Sequence, residues 1–171
     1  LNVLYITLEM AEERIAERID ANLLDVTMED LHDMPQQLYE GKITKLREKT
    51  QGQLVIKEYP TASAHSGHFK SLMNELALKK SFRPDVIFID YLNICASSRF
   101  KGGNISSYFY VKAIAEELRG LAVEFNVPIF SATQTTRTGY VSTDIGLEDT
   151  SESFGLPATA DFMFALISNE E

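Results

Sequence analysis

The chain alternates between short apolar runs and longer amphipathic stretches. Residues 3–8, Val-Leu-Tyr-Ile-Thr-Leu, form a β-branched and aromatic run that predicts a buried strand. From Ala11 onward Ile15, Ile19 and Leu23 recur on one helical face, with Glu12, Glu13, Arg14, Glu17 and Arg18 turned outward. Residues 27–50 are more polar and predict one or two helices. Thr27-Met-Glu-Asp30 has the form of a capping start, and Pro35 suits the first turn of the next helix. Leu54–Tyr59 predicts a second strand, and His65–Lys80 a helix with Phe69, Leu72, Met73 and Leu76 on one face. Asp85-Val-Ile-Phe-Ile-Asp90 predicts a strand that ends in a carboxylate. Residues 107–125 carry Val111, Ile114, Ala115, Leu118, Leu121, Ala122 and Phe125 at helical spacing. Val127–Thr133 and Asp161–Ile167 predict two further strands, separated by a polar stretch without periodicity.

Strands that alternate with helices in this way predict an α/β fold, a mainly parallel sheet covered by helices on both faces. The 171 residues suit a single domain, and their 44 % apolar and 24 % charged content excludes global disorder. No apolar run reaches the roughly 18 residues of a membrane span. With Cys95 the only cysteine, there is no disulfide framework, and the composition suits a reducing cytosol. The net charge of −9 runs against non-specific binding of a polyanion. A nucleic-acid role therefore has to rest on a local patch or on assembly with other chains. The chain opens with Leu1 inside a strand pattern, as a piece of a longer protein would.

In a parallel α/β sheet ligands bind outside the carboxyl ends of the strands, and three polar residues fall at such ends: Glu9, Asp90 and Gln134. Asp90 suits a Mg²⁺ ligand acting through water, or equally a turn cap. Glu9 suits a base for an attacking water, or a carboxylate serving a helix N-terminus. Gln134 suits a donor to a phosphate oxygen, or a solvated loop amide. Taken together on one edge, a base, a metal ligand and a phosphate-sensing amide make sense for phosphoryl transfer. His65 and His68 allow a metal pair but have no matching carboxylate or cysteine, and fit a solvated helix start. Cys95 reads as a small buried hydrophobe. Tyr108, Phe109 and Tyr110 suit base stacking or packing at a helix start.

Leu4-Tyr-Ile-Thr-Leu-Glu-Met10, Val86-Ile-Phe-Ile-Asp-Tyr-Leu92 and Val127-Pro-Ile-Phe-Ser-Ala-Thr-Gln134 resemble three consecutive motifs of DnaB-type replicative helicases. Asp149-Thr-Ser-Glu-Ser-Phe-Gly155 through Asp161 resembles the fourth. Within that family the look is nearest to the helicases of T-even-like phages. The resemblance implies a RecA-like P-loop NTPase fold over residues 1–171, a single partial ATPase domain. It implies that Glu9 is the catalytic glutamate, Asp90 the Walker B metal ligand and Gln134 the sensor of the γ-phosphate. It implies ATP and Mg²⁺ as cofactors. The implied partners are single-stranded DNA, further copies in a hexamer, a primase and a loader, in the cytoplasm of a bacterial host and without a membrane. The family's DNA-contacting loops correspond to residues 97–106 and 135–156. There the cations Arg99, Lys101 and Arg137 and the backbone around Gly102, Gly103 and Gly155 are the implied contacts, with Glu152 acting on the second loop.

Three departures qualify the resemblance. No Gly-x-x-x-x-Gly-Lys-Ser/Thr occurs, so the phosphate loop and its strand and helix are missing and are expected upstream of Leu1. No Lys or Arg follows Arg137, so the family's arginine finger cannot come from the C-terminal part. Ser151-Glu152 stands where the family has Arg-Glu. The missing strand would sit between Val127–Thr133 and Asp161–Ile167, so without it the last strand is expected to be displaced or the gap filled by another chain. The other readings are another RecA-like ATPase, of recombinase, KaiC or RadA type, or a non-catalytic assembly module.

Overall fold

The computed structural model describes residues 1–100, 105–135, 146 and 155–166. Its elements run β1 (Val3–Thr7), α1 (Glu12–Leu24), α2 (Met28–Asp33), α3 (Gln36–Lys49), β2 (Leu54–Glu58), α4 (Ser66–Lys80) and β3 (Val86–Asp90). A short 3₁₀ turn (Leu92–Ile94) follows, then α5 (Ser107–Phe125), β4 (Ile129–Ser131) and α6 (Gly155–Thr159). The four strands form one sheet in the order β2-β1-β3-β4, every pair parallel.

Alternation along the strands decides the two faces. Leu4, Ile6, Ile87 and Ile89 are buried against Phe69, Leu72, Met73 and Leu76 of α4 and Val111, Ile114, Leu118 and Leu121 of α5. Tyr5, Phe88 and Phe130 stack in a row on the opposite face, with ring centroids 6.1 and 5.3 Å apart. Helix α1 borders that face beside Tyr5. The layered parallel α/β architecture is the expected one.

The polar region 27–50 resolves into two helices. Thr27 Oγ1 accepts from Asp30 N while the Asp30 carboxylate receives the Thr27 backbone N–H, a full capping box. Gly52 passes so close to the first strand that a Cβ there would lie 2.0 Å from the Leu1 carbonyl oxygen. Only glycine permits this approach, which brings Val3 N within 2.7 Å of Gln53 O. His65 Nδ1 accepts from Gly67 N, and His68 Nδ1 accepts from His65 N, so the two rings cap α4. Cys95 is buried, and burial pushes its thiol up to about 12.

Two strand expectations need correction. The strand expected over Val127–Thr133 is confined to Ile129–Ser131. Residues 161–166 of the last expected strand form no strand, and Phe162, Phe164 and Leu166 are 81, 66 and 89 % exposed. The cause is the absence of a neighbour. Among the described residues nothing pairs with the outer edge of β4, so the alternating Phe-x-Phe-x-Leu pattern has no ladder to join. The start of the segment is still anchored, because Arg119 donates to Thr159 O and pairs with Asp161.

Candidate functional site

The carboxyl edge of the sheet is built by the pairing of β1 with β3. Thr7 stands opposite Asp90, and the ladder continues one step further through Leu8 N donating to Asp90 O at 2.9 Å. Glu9 is the next residue and is exposed. Its turn is fixed from beneath by Thr7, which is fully buried. Thr7 Oγ1 donates to Met10 O at 2.8 Å and accepts from Met10 N at 3.1 Å, bridging the turn on both sides. Thr61 Oγ1 donates to Leu8 O at 2.6 Å, and the Glu12 carboxylate accepts from Glu58 N at 2.9 Å. Glu9 is thus carried on a turn braced by β1, β2 and the start of α1.

Asp90 is half-buried. Its Oδ2 accepts from Tyr5 OH at 3.0 Å, which leaves the remaining lone pairs of the carboxylate for another ligand. Burial, followed by this bond and the charge of Asp90, pushes the Tyr5 phenol up to about 12. Arg18 and Asn22 of α1 face the same pair across a shallow cleft of about 250 Å³.

Gln134 follows β4 and is tied to the same edge. Leu92 N donates to Ala132 O at 3.4 Å, and Gln134 Nε2 donates to Tyr91 OH at 3.2 Å. Asn93 Oδ1 and Thr133 Oγ1, close in sequence to these residues, are buried with no hydrogen-bond partner. Orphaned polar atoms of this kind fit a site that receives a polar ligand or ordered water. Among the described residues no three His, Cys, Asp or Glu side chains converge on a metal position. Mg²⁺ needs only one or two carboxylates when phosphates and waters supply its other ligands, so Asp90 fits a cation that arrives with a nucleotide.

The structure therefore gathers Glu9, Asp90 and Gln134 on one edge. Of the loop residues, Arg99 is exposed and ion-paired with Glu116, and the preceding Ser97 and Ser98 bond to Glu117. Gly155 is buried at the start of α6. Lys101, Gly102, Gly103, Arg137 and Glu152 lie outside the described residues. Tyr110 packs against the core and accepts from Ser97 N at 3.1 Å, whereas Phe109 is exposed. Sequence reasoning missed Thr7, Thr61, Tyr5 and Tyr91, which brace the edge. A hydroxyl two residues before Glu9 was the only signal, and strand propensity explained it equally well.

A family model described as "DnaB-like helicase C terminal domain" matches residues 1–170. A "DnaB-like replicative helicase" of Enterobacteria phage T4 is 52 % identical over 173 residues, covering 99 % of this chain and 36 % of its own length. A "Probable plasmid replicative DNA helicase" of Chlamydia trachomatis is 34 % identical, over 78 % of this chain and 28 % of its own. The chain thus spans roughly a third of these curated relatives. Among solved structures, a DnaB-like replicative helicase described with its interactions with primase superposes with a TM-score of 0.72 at 20 % identity, over 94 % of this chain and 38 % of the other. A second solved structure, described as an ATPase domain, superposes with a TM-score of 0.73 at 19 % identity, over 94 % and 57 %. Both show the same fold.

Proposed function

Because the chain belongs to the DnaB-like helicase C-terminal domain family, we propose that it forms part of the NTP-driven motor of a replicative DNA helicase. In this reading hydrolysis drives translocation on single-stranded DNA and unwinding of the duplex, in the cytoplasm of a bacterial host. The observation that carries it is the convergence of Glu9, Asp90 and Gln134 on the carboxyl edge, joined by the Leu8–Asp90 and Gln134–Tyr91 hydrogen bonds.

Glu9 accepts a hydrogen bond from the attacking water and orients it toward the γ-phosphate of ATP. Asp90 would hold Mg²⁺, since Tyr5 occupies only one of its carboxylate oxygens. A cation held there would supply charge neutralisation to the phosphate oxygens. Gln134 donates toward the γ-phosphate when it is present and toward Tyr91 when it is not, which hands the nucleotide state to the strand ends. The phosphate cradle and its lysine come from polypeptide upstream of Leu1, in a strand beside β4. The β4 edge, without a partner strand among the described residues, and the exposed Phe88 and Phe130 favour that position. Self-assembly into a hexamer, with a primase and a loader as further partners, completes the proposal. DNA is met by the segments 97–106 and 135–156, through Arg99, Lys101 and Arg137 and the backbone at Gly102, Gly103 and Gly155, with Glu152 shaping the second.

Gln134→Ala in the full-length protein tests the reading. Nucleotide binding weakens by no more than about tenfold, while stimulation of hydrolysis by single-stranded DNA is lost, since the side chain contributes about one hydrogen bond to binding but carries the signal. Unchanged stimulation refutes the role.

A further inference from the structure

The Glu117 carboxylate gathers hydrogen bonds from two separate segments. Ser66 Oγ, at the first position of α4, donates to Oε2 at 2.8 Å. Ser97 Oγ donates to Oε1 at 2.6 Å, and Ser98 Oγ to Oε2 at 2.8 Å. Ser98 N shares its proton between the two oxygens at 3.1 and 3.0 Å, and Arg99 N reaches Oε1 at 3.4 Å. Burial raises the pKa of Glu117, but the bonds from Ser97, Ser98 and Ser66 outweigh it and hold the group at about 2. It is therefore a permanent anion at neutral pH. Ser97 is itself buried, and its N–H is taken by the Tyr110 hydroxyl.

This is more satisfaction than an ordinary helix-surface glutamate receives, and most of it comes from the polypeptide leaving β3. The guanidinium of Arg99, one residue beyond, lies against Glu116, which Lys112 also approaches at 3.9 Å. An exposed arginine on a loose loop loses entropy when it meets a phosphate, whereas one on a fixed root loses less.

We propose that Glu117 is a positioning residue for Arg99, holding the backbone of Ser97–Arg99 so that the guanidinium is presented to a nucleic-acid phosphate. The inference rests on the reading of Arg99 as a DNA contact and deepens it.

The test is a double-mutant cycle in the full-length protein, read as the affinity for fluorescent oligo-deoxythymidine over a range of salt. Arg99→Ala weakens binding and lowers the salt slope by about one. Glu117→Gln weakens binding several-fold at each salt concentration. The double variant binds no more weakly than Arg99→Ala alone, because a root that presents nothing has nothing left to lose. Ser98→Ala, which keeps the buried charge and removes one donor, gives a smaller loss that also vanishes on the Arg99→Ala background. In DNA-stimulated hydrolysis, Glu117→Gln raises the DNA concentration needed for half-maximal rate and leaves the rate at saturating DNA unchanged. Losses that multiply in the double variant mean Glu117 acts on folding alone and overturn the inference, as does wild-type binding by both Glu117→Gln and Ser98→Ala. Wild-type affinity and slope in Arg99→Ala overturn the DNA role of Arg99 itself, a failure visible without any change at Glu117.

Discussion

Gln134 donates through Nε2 to the Tyr91 hydroxyl at 3.2 Å, and Tyr91 directly follows Asp90. The ends of β3 and β4 are thereby linked by side chains just where their backbone ladder stops. An amide that changes partner between Tyr91 and a phosphate therefore alters the packing beside Asp90. Tyr91→Phe keeps the ring and removes the alternative partner. A neutral hydrogen bond is worth about 1 kcal/mol net, so a change of up to about tenfold follows. The expected result is DNA-stimulated hydrolysis lowered by about three- to tenfold, with nucleotide affinity unchanged, measured as steady-state turnover with and without single-stranded DNA.

Thr7 bears on Glu9 in a different way. Its buried hydroxyl bridges Met10 N and Met10 O, so the turn carrying Glu9 has one backbone geometry. Thr7→Val is nearly isosteric and leaves Met10 N and O to find other partners. Misplacing a catalytic group by about 1 Å costs roughly a hundredfold in rate. Turnover in the full-length protein should fall by about ten- to a hundredfold, while nucleotide binding, measured by equilibrium titration, should change by less than about threefold. Loss of binding in parallel with turnover contradicts a role confined to the turn.

The parallel sheet was legible because β1 and β3 carry near-continuous apolar runs and because α5 has an unbroken helical stripe. The three edge residues were legible for the same reason, each being the polar residue that follows a run. The braces were not. Thr61, Tyr5 and Tyr91 act through contacts between segments 43 to 85 residues apart, which no local pattern encodes, and Thr7, which bridges Met10 three residues on, reads as an ordinary strand residue. Nor was Glu117, which looks like one of two adjacent solvent carboxylates on α5 until Ser66 and Ser97–Arg99 are folded against it. The strand expected at 161–167 failed for the complementary reason. Its alternation is real, but a strand exists only by pairing, and the described residues supply no neighbour.

Glu116 holds two cations, Arg99 and Lys112, in a solvent-exposed cluster. In the proposed DNA contact, a phosphate competes with it for Arg99. Removing the carboxylate by Glu116→Gln leaves both cations without that anion. Binding of the full-length protein to oligo-deoxythymidine should tighten by about two- to fivefold at low salt, consistent with the roughly 0.2–1 kcal/mol of an exposed ion pair. The gain should shrink toward none near 1 M salt, where the Debye length is about 3 Å. Fluorescence anisotropy across the salt range checks both parts. Equal or weaker binding at low salt removes Glu116 as a competitor.

The depressed pKa of Glu117 has a pH signature with a definite sign. A carboxyl whose folded value, about 2, lies below its ordinary 4.5 stabilises the folded state fully above about 4.5. That contribution is lost as pH falls from 4.5 toward 2, because the unfolded chain takes up a proton that the folded chain resists. Glu117→Gln cannot titrate, so it lacks this contribution at every pH. The group is only partly shielded from water, which screens the effect, so the difference is modest. Thermal melts of wild type and Glu117→Gln should be furthest apart at about pH 6–7 and converge between about pH 4.5 and 2.5. Other carboxylates titrate in the same window, but they are common to both proteins and cancel in the difference. A gap between the two melting temperatures that stays constant down to about pH 2.5 would show that the Ser66, Ser97 and Ser98 donors do not favour the charged form of Glu117.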